Sequence, residues 1–154
     1  MSTGDARAAT SADGPAVPAW RQVVLDTTAA RALAEFYRQF LGFAYRPGDE
    51  PPGPGEDDAR GRDWLVLLPP SGGQGIAFQQ VDSLPETTWP DDGVPQQMHL
   101  DLTVPDKAEL DRQHERALRL GARLRYDRSD DDEEPLRVYA DPSGHTFCVF
   151  VSPS

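Results

Sequence analysis

The chain has 154 residues, a formal net charge of −11 and a single cysteine, Cys148. This length fits about one ordinary domain. The acidity argues against a nucleic-acid partner, which would need basic surface to displace counterions, and against an anionic membrane surface. One cysteine excludes an internal disulfide. No apolar run approaches the roughly 18 residues of a transmembrane helix, and residues 1–18 lack the apolar centre of a signal peptide, so we expect a cytoplasmic protein.

Two segments of the chain repeat the same order of elements. Residues 22–43 and 99–122 each contain a short apolar strand, a turn, an amphipathic helix and a glycine that ends it. Strand-like segments with a Pro-Ser-Gly turn, at 70–72 and at 142–144, follow each of them. Because an internal repeat can decide the fold, the sequence predicts two half-domains of the order βαβββ around a shared concave sheet.

Polar stretches divide the chain around these repeats. Residues 1–18 are predicted to be a disordered tail, since they are rich in Ala, Ser, Gly and Pro without periodicity. The folded domain is predicted at 19–152, with module one at about 20–82 and module two at about 98–151. Three loops are expected: a flexible, acidic, Pro- and Gly-rich loop at 46–63, a connection between the modules at 82–97, and an acidic loop at 127–135.

The first predicted helix covers residues 29–40. Thr27 or Thr28 is expected to cap its start, and Gly42 is expected to end it in the left-handed conformation. Its apolar residues follow helical spacing and form one stripe: Leu33, Phe36, Tyr37, Phe40 and Leu41.

The second predicted helix covers residues 105–120, with Pro105 in its first turn and Gly121 at its end. Its inward stripe is thinner and consists of Leu110, Ala117 and Leu118. Two helices are too few to cover a parallel sheet on both faces, which favours an α+β fold with curved, mixed sheets and helices on one side. Strands are predicted at 21–26, 63–68, 75–81, 98–104, 136–140 and 146–151, with two more at 43–46 and 123–126.

Three segments carry a resemblance to a known superfamily: AEFYRQFLGF at 34–43, HLDLTV at 99–104 and ADPSGHTFCVF at 140–150. Together they resemble the glyoxalase, bleomycin-resistance and extradiol-dioxygenase proteins, also called vicinal oxygen chelate proteins. Within that superfamily the chain is similar to the glyoxalase-like domains common in high-GC bacteria. The resemblance covers residues 20–151 and implies a cup between two βαβββ modules, a homodimer, and a divalent metal inside the cup.

In metal-using relatives each module offers one ligand from its first strand and one from its last, usually His, Gln or Glu. The metal then acts as a Lewis acid toward two adjacent substrate oxygens. The resemblance puts Gln22 and His99 at the first-strand positions, so these two are the candidate metal ligands. At the last-strand positions it puts Cys148, where relatives carry Glu, and either Phe78 or Gln79. This set has no carboxylate, and a thiol in the apolar run FCVFV usually behaves as a small hydrophobe.

His99 is the foremost single candidate for a functional residue. It is a candidate ligand or proton shuttle in the cup, the alternative being a hydrogen-bonded strand histidine. Asp101 lies two residues on and therefore on the same face, where a carboxylate could act as a base, the alternative being an aspartate at a strand end. The catalytic candidates are His99 and Asp101; the ligand-binding candidates are Gln22, Phe78, Gln79, Trp64 and Cys148.

These observations leave three functions open. The expected one is a module that binds a small organic molecule in the cup without a metal or other cofactor. The second is a metal-dependent lyase, isomerase or dioxygenase of the vicinal oxygen chelate type, motivated by His99 together with Gln22. The third is a metal-free acid–base enzyme that uses His99 and Asp101. One fold supports many functions, so the residues of the site have to decide between them.

Overall fold

The computed structural model describes residues 16–152. Most of the tail predicted at 1–18 therefore lies outside the described residues. No helix within the described range is long and apolar enough to cross a membrane.

Each half of the described chain contains one helix and four strands. The first half contains β1 (Val23–Thr27), α1 (Ala30–Leu41), β2 (Ala44–Tyr45), a 3-10 turn (Arg60–Arg62), β3 (Trp64–Leu68) and β4 (Ile76–Gln80). The second half contains β5 (His99–Val104), α2 (Lys107–Leu120), β6 (Arg123–Arg128), β7 (Leu136–Ala140) and β8 (Thr146–Val151).

The two halves form two four-stranded sheets of identical topology. The strand orders are β1-β4-β3-β2 and β5-β8-β7-β6, so β1 and β5 are edge strands. In each sheet the first strand pairs in parallel with the last, and the other neighbours are antiparallel. The sheets do not close into one. The predicted α+β fold with two βαβββ modules is confirmed.

The start of α1 is capped from two directions. The Thr27 hydroxyl accepts a hydrogen bond from the Ala29 amide at 2.9 Å, and Gln80 Oε1 of β4 accepts one from the Ala30 amide at 2.9 Å. The helix ends at Gly42, whose φ of 68° lies in the left-handed region that favours glycine. The N-cap residue is Ala29, so the prediction that Thr27 or Thr28 occupies the cap position is wrong. Thr27 instead supports the residue at the cap, and Gln80 adds an acceptor that local sequence does not reveal.

The start and the inner face of α2 differ from the prediction. Asp106 is the cap and accepts from the Glu109 amide at 2.7 Å, so the helix begins after Pro105 rather than at it. Leu110 and Ala117 are buried as predicted, but Leu118 is 42% exposed and the prediction that it faces inward is wrong. The inner stripe is narrow because little of this helix touches the sheet.

One hydrophobic core connects both modules. Phe147 of β8 lies with its ring centroid 5.9 Å from that of Phe36 and 5.6 Å from that of Phe40, both on α1. It also stacks on Tyr139 of β7 at 5.1 Å. The helix of module one therefore packs on the sheet of module two, and neither sheet has a core of its own.

The Pro- and Gly-rich loop at 46–63 is held by ion pairs and is not the free loop that its composition predicted. Asp49 is fully buried, accepts from the Val66 amide at 2.9 Å and pairs with Arg60 at 3.1 Å. Arg31 of α1 donates to Asp58 at 2.9 Å and to the Asp49 carbonyl at 2.6 Å. Proline and glycine exclude regular elements here, while the charged side chains fix the path of the loop.

Candidate functional site

Each sheet has one face toward the helices and one face away from them, which we call the cup face. Phe78 of β4 is fully buried and stacks on Tyr37 of α1 with ring centroids 5.9 Å apart. Its side chain therefore faces the helices, and since neighbouring strand residues alternate between faces, Gln79 faces the cup. This corrects the prediction that Phe78 contacts a ligand: it is a core residue.

The pairing of the strands shows which residues of the two modules correspond. Phe78 lies opposite Leu25 in sheet one, and Phe147 lies opposite Leu100 in sheet two. When the two modules are aligned on these helix-facing partners, three cup-face positions of module one become equivalent to three of module two. Val24 is equivalent to His99, Asp26 to Asp101, and Gln79 to Cys148. The counterpart of His99 is therefore the apolar Val24, and Gln22 lies just before β1.

His99 and Asp101 lie side by side on the cup face of β5. His99 Nε2 is 3.3 Å from Asp101 Oδ1. Their side chains are 47% and 57% exposed, so both are accessible to a molecule that enters the cup. The structure thus brings the two predicted catalytic candidates side by side, within ion-pair distance of each other.

Cys148 lies on β8 directly opposite Asp101. Burial, and to a smaller extent the neighbouring Asp101 carboxylate, raises the pKa of its thiol to about 11. The side chain therefore carries its proton at neutral pH. Since the thiolate is the form that acts as a nucleophile, the protonated and buried Cys148 contributes a small, weakly polar surface to the cup.

The donor groups of the cup do not fit a divalent metal. Val24 offers no ligand atom at the position that corresponds to His99, and Cys148 is a buried residue with no carboxylate at the last-strand position. Across residues 16–152, no group of three or more His, Cys, Asp or Glu side chains is arranged to hold a metal ion. The His99 imidazole and the Asp101 carboxylate provide too few ligands for a cation that takes four to six.

The connection between the modules crosses the cup face of sheet two, and we call residues 82–97 the strap. Glu86 of the strap forms ion pairs with Arg123 and Arg125 of β6, the latter at 2.5 Å. Trp89 meets Tyr126 of β6 edge to face, with ring centroids 6.3 Å apart. The sequence predicted a simple connection here, whereas the structure uses it to cover part of the cup.

Two cavities lie beneath and beside the strap. The cleft cavity, of about 280 Å³, lies between the edge strands β1 and β5 and includes Val24, Asp26 and His99 in its walls. The cup cavity, of about 230 Å³, lies on the cup face of sheet two. Its lining consists of Trp89, Gln96, His99, Tyr126, Arg128, Leu136, Val138, Thr146 and Cys148.

The predicted ligand-binding residues divide between these surfaces. His99 lines both cavities and Cys148 lines the cup cavity. Trp64 pairs with Gln79 on the cup face of sheet one, and neither side chain lines either cavity. Gln22 does not line them either.

Sequence reasoning missed the lining residues that come from the strap and from β6, among them Trp89, Gln96 and Tyr126. One signal was available for the strap. It contains a tryptophan in an otherwise polar connection, and so large an apolar side chain is usually packed against another surface.

The family comparison matches almost all of the described residues. The model of the glyoxalase-like domain family matches residues 22–150. A search of curated proteins finds no match.

Solved structures share the fold at low sequence identity. A glyoxalase/bleomycin resistance protein/dioxygenase family enzyme from Burkholderia phytofirmans is 17% identical, covers 84% of this chain and 95% of its own, and has a TM-score of 0.60. The fosfomycin resistance protein FosX from Listeria monocytogenes is 16% identical over 89% of this chain and 95% of its own, with a TM-score of 0.62. A mutant of that protein, solved with Mn(II) and 1S,2S-dihydroxypropylphosphonic acid, is 17% identical over 89% and 94%, with a TM-score of 0.61. At these identities the likeness shows the fold.

Proposed function

This chain belongs to the glyoxalase-like domain family, and we propose that it binds a small organic molecule in the cup cavity, under the strap, without a metal. The observation that carries the proposal is the cavity itself. It has about 230 Å³ of space, an aromatic wall from Trp89 and Tyr126, and His99 among its polar groups. A concave, mostly apolar site with a few converging polar groups is the usual form of a small-molecule site.

The structural relatives support a small ligand. The Listeria FosX mutant holds a dihydroxypropylphosphonic acid together with Mn(II), so the shared fold accommodates a molecule of a few heavy atoms. We carry over the size of the ligand and not the metal, because Val24 offers no ligand atom and no group of three or more His, Cys, Asp or Glu side chains within residues 16–152 is arranged to hold one.

Binding is tested by thermal unfolding in the presence of a library of small organic molecules. A ligand at one hundred times its Kd stabilises the fold by about 2.7 kcal/mol, which raises the Tm by several degrees. Val138→Phe fills the cup cavity and should abolish the shift. The control, Val24→Phe, adds the same bulk to the cleft cavity and should keep it. A library in which no compound stabilises the protein, or a shift that survives Val138→Phe, would refute the proposal.

A second function is an acid–base enzyme, which the His99–Asp101 contact at 3.3 Å favours. In this version the imidazole moves a proton on a bound ligand, and the carboxylate orients the ring and balances its charge. Once a ligand has been found, Asp101→Asn should leave its Kd nearly unchanged and should slow any turnover. A ligand that stays unaltered after long incubation with the wild-type protein would leave binding as the function.

The metal-dependent alternative makes a different prediction for the purified protein. Incubation with Mn²⁺, Zn²⁺, Ni²⁺ or Fe²⁺ followed by dialysis should leave far less than one metal ion per chain, measured by elemental analysis. One tightly held ion per chain that is lost in His99→Ala would show that the cup binds a metal after all.

Relatives of this kind suggest a homodimer, and we include it in the proposal. Apolar side chains beside the cup support it, since Val24 and Met98 are 40% and 67% exposed. Light scattering after size exclusion should give about twice the chain mass. A monomer at micromolar concentration would exclude the dimer and would leave the proposed binding site unaffected.

A further inference from the structure

One buried polar atom at the cup cavity has no hydrogen-bond partner. It is Oε1 of Gln96, a strap residue that lines the cup cavity and also the cleft cavity. A buried carbonyl left unpaired costs about 1–3 kcal/mol, so folded proteins rarely keep one without a reason. A ligand that brings an N–H or O–H group to this oxygen would remove the cost.

We propose that Gln96 determines the ligand specificity of the cup cavity and selects a single-ring aromatic molecule that is not an anion and that carries an N–H or O–H donor. This inference rests on the proposed function, because it names the chemical class of the molecule bound there. Gln96 accepts the hydrogen bond from the ligand through Oε1, and the strap holds the amide over the cavity.

The walls of the cavity select the ring. Trp89 and Tyr126 pack against each other edge to face at 87°, and both line the cavity. A flat π-system packs against such a corner by one offset-stacked and one edge-to-face contact. Leu136 and Val138 of β7 complete the apolar lining.

The volume of the cavity limits the ligand to one ring. An engineered apolar cavity of about 150 Å³ binds benzene. The cup cavity, with about 230 Å³, has room for one six-membered ring with one or two small substituents.

The charges at the cavity disfavour an anionic molecule. The cation in its lining, Arg128, is held by Asp131 at 3.2 Å and by Glu134 at 3.3 Å. His99, the other basic side chain of the lining, likewise has a carboxylate beside it, that of Asp101. An anionic ligand would compete with these carboxylates for the same partners, in a chain with a net charge of −11.

The strap is anchored so that Gln96 keeps its position. Glu86 pairs with Arg123 and Arg125 of β6, and Arg125 also donates to the Thr87 carbonyl at 3.3 Å. The far end of the strap continues directly into β5 at His99. A loop fixed at both ends presents its amide in one orientation, and a fixed acceptor discriminates between ligands better than a mobile one.

Three probes of similar size test the inference: phenol, which donates a hydrogen bond, anisole, which only accepts, and toluene, which does neither. Binding is followed by titration of the Trp89 indole N–H resonance in ¹H–¹⁵N spectra, assigned with Trp89→Phe. The measured quantity is the ratio of the Kd of toluene to that of phenol. Gln96→Met should lower this ratio at least fivefold relative to wild type, because one hydrogen bond contributes about 1 kcal/mol. The matched control is Gln97→Met, which changes the exposed neighbour and should keep the wild-type ratio.

The outcomes separate this inference from the proposed function. If no probe and no library compound binds, the proposed function fails and the inference fails with it. If ligands bind in a way that Val138→Phe abolishes, but Gln96→Met leaves the toluene-to-phenol ratio unchanged, the inference is wrong and the proposed function stands. A preference for anisole over phenol, or binding of library compounds without binding of phenol, would also overturn the inference.

Discussion

At the scale of single residues, a buried tyrosine connects the two modules. The Tyr37 hydroxyl on α1 donates to Asp141 Oδ2 at 2.6 Å, and both side chains are fully buried. Asp141 Oδ1 in turn accepts from the amides of Ser143 and His145, which shapes the turn before β8. Burial raises the pKa of the Asp141 carboxyl, and the Tyr37 hydrogen bond opposes that rise by favouring the ionised form.

Removing this hydroxyl should destabilise the protein. Tyr37→Phe leaves a buried carboxyl oxygen without its donor, so we expect the free energy of unfolding in urea to fall by about 1–3 kcal/mol. The control is Tyr45→Phe, because Tyr45 donates to Glu35 at 2.6 Å but is only half-buried, and its loss should stay below about 1 kcal/mol. Equal losses in the two variants would contradict the special role of the buried pair.

A second residue-level prediction concerns acid stability. The hydrogen bond from Arg31 lowers the pKa of Asp58 from 3.8 to about 2 in the folded protein. Between these two values the unfolded chain binds the proton and the folded protein does not, so the stability that Asp58 contributes is present above about pH 4 and is lost as the pH falls toward 2.

Urea unfolding at pH 5, 3.5 and 2.5 measures this contribution. The difference in unfolding free energy between wild type and Asp58→Asn should shrink as the pH falls. Arg31→Met should remove the same pH-dependent part, because it takes away the group that lowers the pKa. Stability curves of wild type and Asp58→Asn that run parallel over this range would show that the ion pair contributes nothing.

At the scale of elements, the loop at 46–63 should depend on the same ion pair for its fixed path. The loop carries Arg60 and Arg62 in the 3-10 turn, which are sites for trypsin, and Asp58 lies just before them. In Asp58→Asn the link to α1 is lost, local opening becomes easier and tryptic cleavage after these arginines should accelerate several-fold. Asp57→Asn is the matched control, since Asp57 is 72% exposed and pairs only with Arg62 in the same loop. Equal cleavage of both variants would mean that composition alone governs this loop.

The elements themselves were largely predictable from local pattern. Helical spacing of Phe36 and Phe40, the glycines that end both helices, and alternation in the strands gave boundaries within one or two residues of the observed ones. The correspondence between the modules was harder, because moving β1 by two residues keeps every side chain on the same face. Periodicity therefore could not separate Gln22 from Val24 as the counterpart of His99, and the pairing of Phe78 with Leu25 was needed to do so.

At the scale of the whole molecule, the candidate site depends on contacts between segments far apart in the chain. His99 and Asp101 were found from the sequence, because both lie on one strand with a spacing of two. The cup cavity also needs Trp89 of the strap against Tyr126 of β6. Nothing in a polar connection specifies which strand it will cross, since that follows from the ion pairs of Glu86 and from the placement of β6 at the outer edge of its sheet.

The shared core predicts that the two modules unfold together. Phe147 contacts Phe36 and Phe40 of the other module and is fully buried. Phe147→Ala should therefore lower the free energy of unfolding by about 3–5 kcal/mol through loss of contacts and a cavity in the middle of the core. Phe150→Ala on the cup face of the same strand is the control, and it should cost clearly less because that ring is partly exposed.

Cooperativity is tested with variants that keep one tryptophan each. Trp64 reports on β3 of module one, and Trp89 reports on the strap over module two. Because α1 packs on both sheets, the thermal transitions of the two reporters should coincide in wild type and shift together in Phe147→Ala. If only the Trp89 transition moved, or if the two midpoints differed in wild type, each module would hold a core of its own. The single helix-centred core would then have to be abandoned, and with it the reason why a repeated sequence folds here as one unit.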